Sequence, residues 1–498
     1  MLHAPFSLFA FLCIAMIAVP AAALVPVASF SASPTAGPAP LAVSFTDAST
    51  GTPTGWAWYF GDENYTASAW TQQVAHAPWA PRYLHVSVNL PDGSIVLMGG
   101  TTDSGVSALG NLNDTWRSTD QGVTWTQQTT AAAWSARRMF SGVALPDGSI
   151  VIMGGYAGDT RMNDVWRSTD QGATWTCVNA SAGWPSRFAF TSAALPDSNI
   201  VLMGGTGARL YNDVWRSTDM GATWTRTTAN AGWSWRERHA SVVLPDGSIV
   251  LMGGNAADGI KNDTWLSTDQ GATWTEQTDS AAWSARYAHA SVALPDGSIV
   301  LMGGCNADYA EYKWNDVWRS MDKGVTWTCN SASAGWSPRT GAKTVVLPDG
   351  SIVLMGGSGV LFGGGSDGGF QNDVWRLATA SSTAQDPSHV YTVPGTYSVA
   401  VRASNAGGYS DTIRQDYVTV TEGPAVQAIP PSTDLPGDTN GDGLYDDVNG
   451  NGRPDFADVV LYFNQMTWIA ENEPVGAFDY NGNGRIDFAD VVWLFNNL

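Results

Sequence analysis

Leu294-Pro295-Asp296-Gly297-Ser298-Ile299-Val300-Leu301-Met302-Gly303-Gly304 is followed by Asn315-Asp316-Val317-Trp318, and then by Ser320-Met321-Asp322-Lys323-Gly324-Val325-Thr326-Trp327. Nearly the same phrase occurs six times between residues 91 and 377, with Gly-Gly pairs beginning at Gly99, Gly154, Gly204, Gly253, Gly303 and Gly356, 49 to 55 residues apart. In five of the six copies a turn of the type S-T-D-x-G-x-T-W follows, and then W-x-x-R. Self-similarity at this period means one supersecondary unit per copy, stacked into an array or closed into a ring.

Each copy holds four short strand candidates, which in the fifth are His289–Leu294, Ser298–Met302, Asp316–Ser320 and Thr326–Asn330. The L-P-D-G-S link between the first two is a hairpin signal, because Pro presets φ and Gly accepts φ > 0. Gly-Gly permits the close backbone approach expected where strands crowd near an axis. Four antiparallel strands in about 50 residues make one blade of a β-propeller. The sixth copy ends at Trp375-Arg376-Leu377 without its W-T strand, and an orphan Trp70-Thr71-Gln72-Gln73 precedes the first. That N-terminal strand is therefore expected to complete the sixth blade and lock the ring.

The remaining composition suits a rigid, secreted, mainly β chain of 498 residues: 24 Trp, and only 14% charged residues. A net charge of −21 argues against nucleic acid as a partner. The apolar stretch from Pro5 to Val19, then Pro20-Ala21-Ala22-Ala23, reads as a signal peptide over residues 1–23. The alternative is an uncleaved anchor, so a membrane association is expected only if this segment is retained. Cys177 and Cys329 share one slot after W-T and are expected as small apolar residues, with no disulfide framework.

Residues 438–490 carry eleven carboxylates against Arg453 and Arg485. Two near-identical segments lie here, D-V-N-G-N-G-R-P-D-F-A-D from Asp447 and D-Y-N-G-N-G-R-I-D-F-A-D from Asp479. Asp447, Asn449, Asn451, Asp455 and Asp458 fall at positions 1, 3, 5, 9 and 12 of an EF-hand type loop, with Arg453 offering its carbonyl at position 7. Asp479, Asn481, Asn483, Arg485, Asp487 and Asp490 repeat the set. Hard Ca²⁺ takes six to eight oxygens, and Gly at position 6 makes the bend. A partial third loop places Asp438, Asn440, Asp442 and Asp446 at the same spacing.

These segments resemble known families. Gly-Gly, N-D-x-W and W-T together resemble the kelch repeat, and Ser267-Thr268-Asp269-Gln270-Gly271-Ala272-Thr273-Trp274 looks like the Asp-box of sialidase-type propellers, a hairpin staple away from the active site. Residues 26–63, with Trp58-Tyr59-Phe60-Gly61-Asp62, and 386–420, with His389-Val390-Tyr391 and Gly395-Thr396-Tyr397, resemble the two halves of a polycystic-kidney-disease (PKD) domain, an Ig-like sandwich. The duplicated loop–helix resembles a dockerin, which plugs into a cohesin and uses residues late in the loop and on the first helical turn. Here these are Phe456, Ala457, Phe488 and Ala489.

The fold expected is mainly β: a six-bladed propeller (68–378) inserted between the two parts of an Ig-like sandwich (25–67 and 379–422). A linker (423–436) and a small α-helical calcium-loop module (437–498) follow. A ligand is expected on the face that carries W-x-x-R, through Trp79, Arg82, Trp283, Arg286, Trp336 and Arg339, with Tyr309, Glu311 and Tyr312 on a long loop of the same face. Trp faces would stack on sugars while Arg donors hold hydroxyls or carboxylates; the competing reading makes Trp a wedge between blades and Arg a brace. The long loops Thr101–Leu112, Cys305–Trp314 and Ser358–Gln371 form one crescent there. No catalytic residue stands out. The function expected is secreted or cell-surface display, with a glycan or surface protein on the propeller and calcium-dependent docking of the tail to a cohesin. The alternative is a glycoside hydrolase or lyase acting on polysaccharide in an extracellular complex.

Overall fold

The L-P-D-G-S link folds as its residues dictate. In the fifth copy Gly297 takes φ 82°, the Asp296 carboxylate accepts from the Ser298 amide at 2.9 Å, and Leu294 N–H donates to Ser298 at 2.8 Å. The strands it joins, Ala290–Ala293 and Ile299–Met302, pair antiparallel, and Val317–Ser320 and Thr328–Ser331 complete a four-stranded sheet. The computed structural model describes residues 24–63, 70–103, 110–306, 313–359, 369–422, 426–441 and 443–497. Among them, six antiparallel sheets follow this strand order, one with an extra two-residue strand at Arg236–Glu237. The second strand of each sheet is buried along its I-V-L-M or I-V-I-M run, because both of its faces pack on neighbouring sheets. Gly-Gly is required where this strand ends. Gly100 takes φ 91°, and a Cβ there would lie 2.8 Å from the Tyr83 carbonyl.

The sheets close into a ring, and three separate devices seal it. Trp70–Val74 pairs with Val374–Leu377, so the outer strand missing from the sixth copy comes from the N-terminal side. Asn372 donates to the carbonyls of Ala77 (2.9 Å) and Trp79 (3.3 Å), the contact that Asn113 makes to Ala132 and Trp134 in the first copy. The third device circles the axis. Met139 N–H donates to Leu84, Ala189 to Met139, Arg238 to Ala189, Ala288 to Arg238, Gly341 to Ala288 and Leu84 to Gly341, a closed cycle of amide bonds of 2.8 to 3.3 Å. All six residues hold φ between 51° and 64°.

The flanking segments build two further sheets together. Phe30–Ser33, Leu41–Asp47 and Ser388–Tyr391 form one; Ala36–Pro38, Gly408–Thr421, Gly395–Asn405 and Gly55–Tyr59 form the other. Phe30, Phe45, Trp58, Val399, Val401 and Val418 fill the space between them. Side chains of this strand alternate between its two faces, and Val399 through Ser404 are buried on both. The second face explains this, since it packs on the ring: Tyr59 Oη bonds Thr379 Oγ1 at 2.9 Å, Thr379 donates to the Gly350 carbonyl at 2.6 Å, and Arg402 donates to the Leu347 carbonyl at 3.1 Å. Arg402, Tyr409, Ser410 and Asp411 thereby line one end of the ring's central channel, a space of about 720 Å³.

The tail holds α1 (Phe456–Asn472), α2 (Val475–Phe478) and α3 (Phe488–Asn497). The Asp455 carboxylate caps α1 by accepting from Ala457 N–H at 2.8 Å, and Asp458 completes a capping box. Val459, Tyr462, Ile469, Phe478, Val491 and Leu494 make its core. Residues 426–436, expected as free linker, belong partly to this core. Ile429 is fully buried, and the Glu473 carboxylate accepts from Gln427 N–H. An apolar Ile in an otherwise Pro-rich stretch is the residue that draws it in.

Candidate functional site

The W-x-x-R residues are not on the surface. Trp79, Trp283 and Trp336, with Arg82, Arg286 and Arg339, are each at most 1% exposed. Each guanidinium is held bidentate by the Asp of N-D-x-W in its own sheet: Arg82 by Asp114 at 2.6 and 2.8 Å, Arg286 by Asp316 at 2.6 and 2.8 Å, Arg339 by Asp373 at 2.6 and 2.8 Å. It also donates to a Gly-Gly carbonyl, as Arg82 does to Gly99 at 3.0 Å. A buried charge persists only when paired in this way. The Trp rings stand edge-on against the Trp of the next Asp-box type turn, Trp79 on Trp125 at 6.0 Å and Trp283 on Trp327 at 5.9 Å. Trp70 supplies the ring that Trp336 meets at 6.1 Å. Stacking on a sugar is therefore ruled out for these six residues, and the wedge-and-brace reading describes them.

The S-T-D-x-G-x-T-W turn is likewise a staple. Ser118 Oγ accepts from Gly122 N–H and donates to Asp120, whose carboxylate accepts from Thr124 N–H at 2.8 Å. Trp125 Nε1 closes it on the Gly122 carbonyl. His85, His239 and His289 are buried beside the repeat Trp rings, and burial first, then the neighbouring Arg, pushes His239 and His289 down to about 3. Cys177 and Cys329, expected as small apolar residues, are exposed on outer strands.

Copy-to-copy variation sits in the slot after the repeat Arg: Tyr83, Arg138, Phe188, Glu237, Tyr287 and Thr340. The sequence signal for it was the irregularity of that slot within an otherwise fixed motif. Arg138 lies over the Tyr156 ring and Arg238 over Tyr287, and both guanidinia oppose the upward shift that burial gives Tyr83. Tyr83 stacks on Phe370 at 4.9 Å. Small bridges pair Tyr287 with Cys305, Cys305 with Lys313, Thr340 with Ser358, and Ser358 with Phe370. This cationic and aromatic layer is the footing of the three long loops. Tyr309, Glu311 and Tyr312 lie outside the described residues.

The two tail loops share one geometry. The Asp447 carboxylate accepts from Asn451 and Gly452 N–H (3.0 and 2.6 Å), and Asp479 does the same with Asn483 and Gly484. Asp458, at position 12, accepts from Asn449 and Asp455 N–H; Asp490 accepts from Asn481 and Asp487 N–H. Both are fully buried. Burial chiefly, then repulsion from Asp447 and Asp455 or from Asp479 and Asp487, raises both carboxyls above the ordinary range. Crowded carboxylates with no Lys or Arg paired to Asp458 or Asp490 among the described residues fit a hard, oxygen-preferring cation. Among the described residues no group of three or more His, Cys, Asp or Glu converges on one point, so such a cation would also draw on the Asn side chains and the Arg453 and Arg485 carbonyls. In the third loop Asp438 accepts from Gly441 and Gly443 N–H, Asp446 holds Thr439, and Asp442 lies outside the described residues.

The outer faces of α1 and α3 are apolar and exposed. Phe456, Val460 and Phe463 occupy i, i+4 and i+7 on α1; Phe488, Val492 and Phe495 do so on α3. Phe456 meets Phe495 at 6.1 Å and Phe463 meets Phe488 at 6.0 Å, so the patch has approximate two-fold symmetry. Ala457 and Ala489 are exposed beside it.

Residues 57–232 match the KLHDC2/KLHL20/DRC7 Kelch-repeats domain. Residues 163–306 match the Sortilin-Vps10 family, described as sortilin, neurotensin receptor 3. No curated protein matches the chain. Among the described residues no helix is long and apolar enough to cross a membrane. The two family matches and the succession of four-stranded antiparallel sheets make the centre of this chain a β-propeller.

Proposed function

We propose that the chain is a secreted or cell-surface display protein: a six-bladed kelch/Asp-box propeller inserted in a PKD-like, Ig-like sandwich, with a dockerin-like tail. The propeller presents the crescent of long loops, including Tyr309, Glu311 and Tyr312, to a glycan or a surface protein. The tail docks to a cohesin-like domain in a calcium-dependent way. Ca²⁺ would sit among Asp447, Asn449, Asn451, Asp455, Asp458 and the Arg453 carbonyl, and among their counterparts from Asp479, fixing the angle between α1 and α3.

The single observation that carries this reading is the two-fold apolar patch. Phe456 and Phe488 are 62% and 57% exposed, a cost in water that a partner's apolar surface would relieve. The patch is apolar, so the cohesin that fits presents aliphatic or aromatic side chains. Its symmetry lets one partner bind in two orientations. The test is calorimetry of the full chain against a panel of cohesin domains, with calcium and with chelator. Binding should require calcium, weaken modestly in Phe456→Ser or Phe488→Ser, and vanish in the double variant. Binding indifferent to calcium and to both substitutions would overturn it. A parallel glycan screen should find retention on the propeller without release of reducing sugar; turnover would make the chain an enzyme instead.

A further inference from the structure

The central channel is where the sixth copy departs most from the others. One slot near the start of the innermost strand reads Val86, Ser141, Thr191, Ala240, Ala290 and then Lys343. Two preceding slots change in the same copy. Gly341 stands where the others have Leu84, Met139, Ala189, Arg238 and Ala288, and Ala342 replaces a His or Phe. Two successive positions lose bulk and the third gains a cation. All three border a narrow passage of about 80 Å³ inside the amide cycle, leading to a polar cavity of about 170 Å³.

Lys343, Ser192, Ser241, Ser291, Thr344 and His289 line that cavity, and no Asp or Glu among the described residues does. Lys343 forms no ion pair with another described residue, whereas Arg402 lower in the channel carries its own Asp411 at 2.7 and 2.8 Å. Several enclosed polar atoms around Lys343 also lack a partner among the described residues: Ser87 Oγ, Ser241 Oγ and both ring nitrogens of His289. Ser141 and Ser192 bond each other at 2.7 Å, leaving one hydroxyl proton between them to donate. The hydroxyls and neutral imidazoles of this lining can each donate or accept, but no described carboxylate in it balances the Lys343 ammonium. An enclosed charge without a counter-charge is costly, and enclosure alone pushes Lys343 toward its neutral form.

We infer that this cavity binds a small inorganic anion, held by the Lys343 ammonium and the hydroxyls of the surrounding strands. The space equals about five or six waters at roughly 30 Å³ each, enough for a halide or a tetrahedral oxyanion with residual water. The assignment is independent of the tail and of the ligand on the loops.

Crystals of the full chain grown in sodium bromide should give an anomalous peak within hydrogen-bonding distance of Lys343 Nζ, absent from Lys343→Met, which keeps the side chain out to the ε position and removes the charge. In solution, phosphate or bromide should raise the melting temperature of the wild-type chain by several degrees over gluconate at equal ionic strength, and Lys343→Met should lose that shift. A response to bromide alone identifies a halide site, and a response to phosphate alone an oxyanion site. Water alone in the wild-type channel with no anion-specific shift would overturn the inference. So would a peak or a shift that survives Lys343→Met.

Discussion

Removal of Trp70–Val74 tests the closure of the ring directly. Trp70 is 7% exposed and packs edge-on against Trp336, the relation Trp125 has to Trp79 within the continuous part of the chain. Truncating a buried Trp to Ala costs about 3–5 kcal/mol, so Trp70→Ala and Trp125→Ala should destabilise by similar amounts. Deleting the strand should cost more than Trp70→Ala. It also strips Val374–Leu377 of its outer partner over the paired positions from Val374↔Val74 to Leu377↔Trp70, each bond worth about 0.5–1.5 kcal/mol net. Urea titration of the full chain, followed by Trp fluorescence, reads the midpoints, and limited proteolysis near residue 377 reads opening of the ring. A deletion variant with an unchanged midpoint, or a Trp70→Ala loss below about 1 kcal/mol beside a full loss in Trp125→Ala, would refute closure by this strand.

Asp263→Ala should cost about 3–5 kcal/mol by leaving the fully buried Arg236 guanidinium without its two 2.6 Å contacts. Arg236→Met with Asp263→Leu should recover much of it; equal midpoints for wild type and Asp263→Ala would show that the pair is no brace. Gly100→Ala should destabilise by about 1–3 kcal/mol, since φ 91° and the Tyr83 carbonyl both oppose a Cβ. The raised carboxyls of Asp458 and Asp490 mean that the folded tail binds their protons more tightly than the unfolded chain. Their contribution is therefore present at and below the ordinary carboxylate range and is lost as pH rises through the folded value. Chelated protein should show a higher melting point of its helical signal at about pH 5 than at pH 7, and calcium should abolish the difference. The reverse order in chelator would count against crowded carboxylates.

Much of the ring was legible because its determinants are local. Pro-Asp-Gly fixes a hairpin, Gly-Gly fixes a close approach, and an unmatched W-T strand leaves only one place to go. The exposure of W-x-x-R was not legible, since recurrence shows that a residue matters without showing which way it faces. The corrective signal was nonetheless present: every repeat Arg has a repeat Asp, from Asp114 to Asp373, in N-D-x-W. Equal numbers of opposite charges at fixed spacing in an apolar frame point to internal pairing. The amide cycle could not be read, because Leu84, Met139 and Arg238 give no hint of positive φ; tertiary hydrogen bonds impose it. Nor could the burial of both faces of Gly395–Asn405, which depends on packing against a separate part of the fold, as where Arg402 reaches the Leu347 carbonyl. In the tail, the repeated spacing of oxygen side chains was visible from the first Asp. The apolar patch needed the helix pair, since only its packing brings Phe456 to Phe495.

The seam of the ring also dictates an order of events. Trp58 donates to the Ala384 carbonyl across 326 residues, a loop too long to close early by chance. Once Trp70–Val74 pairs with Val374–Leu377, roughly 20 residues of connecting chain separate the same two groups, which lowers the entropy of bringing them together by about 2 kcal/mol. The sandwich is thus assembled last, from the two ends of a body that must already be finished. During synthesis Leu41–Asp47 and Gly55–Tyr59 wait for their partners Ser388–Tyr391 and Gly395–Asn405 until the whole propeller has emerged. Burial of Trp58 lagging ring formation in refolding would record that wait, and simultaneous burial would dismiss it.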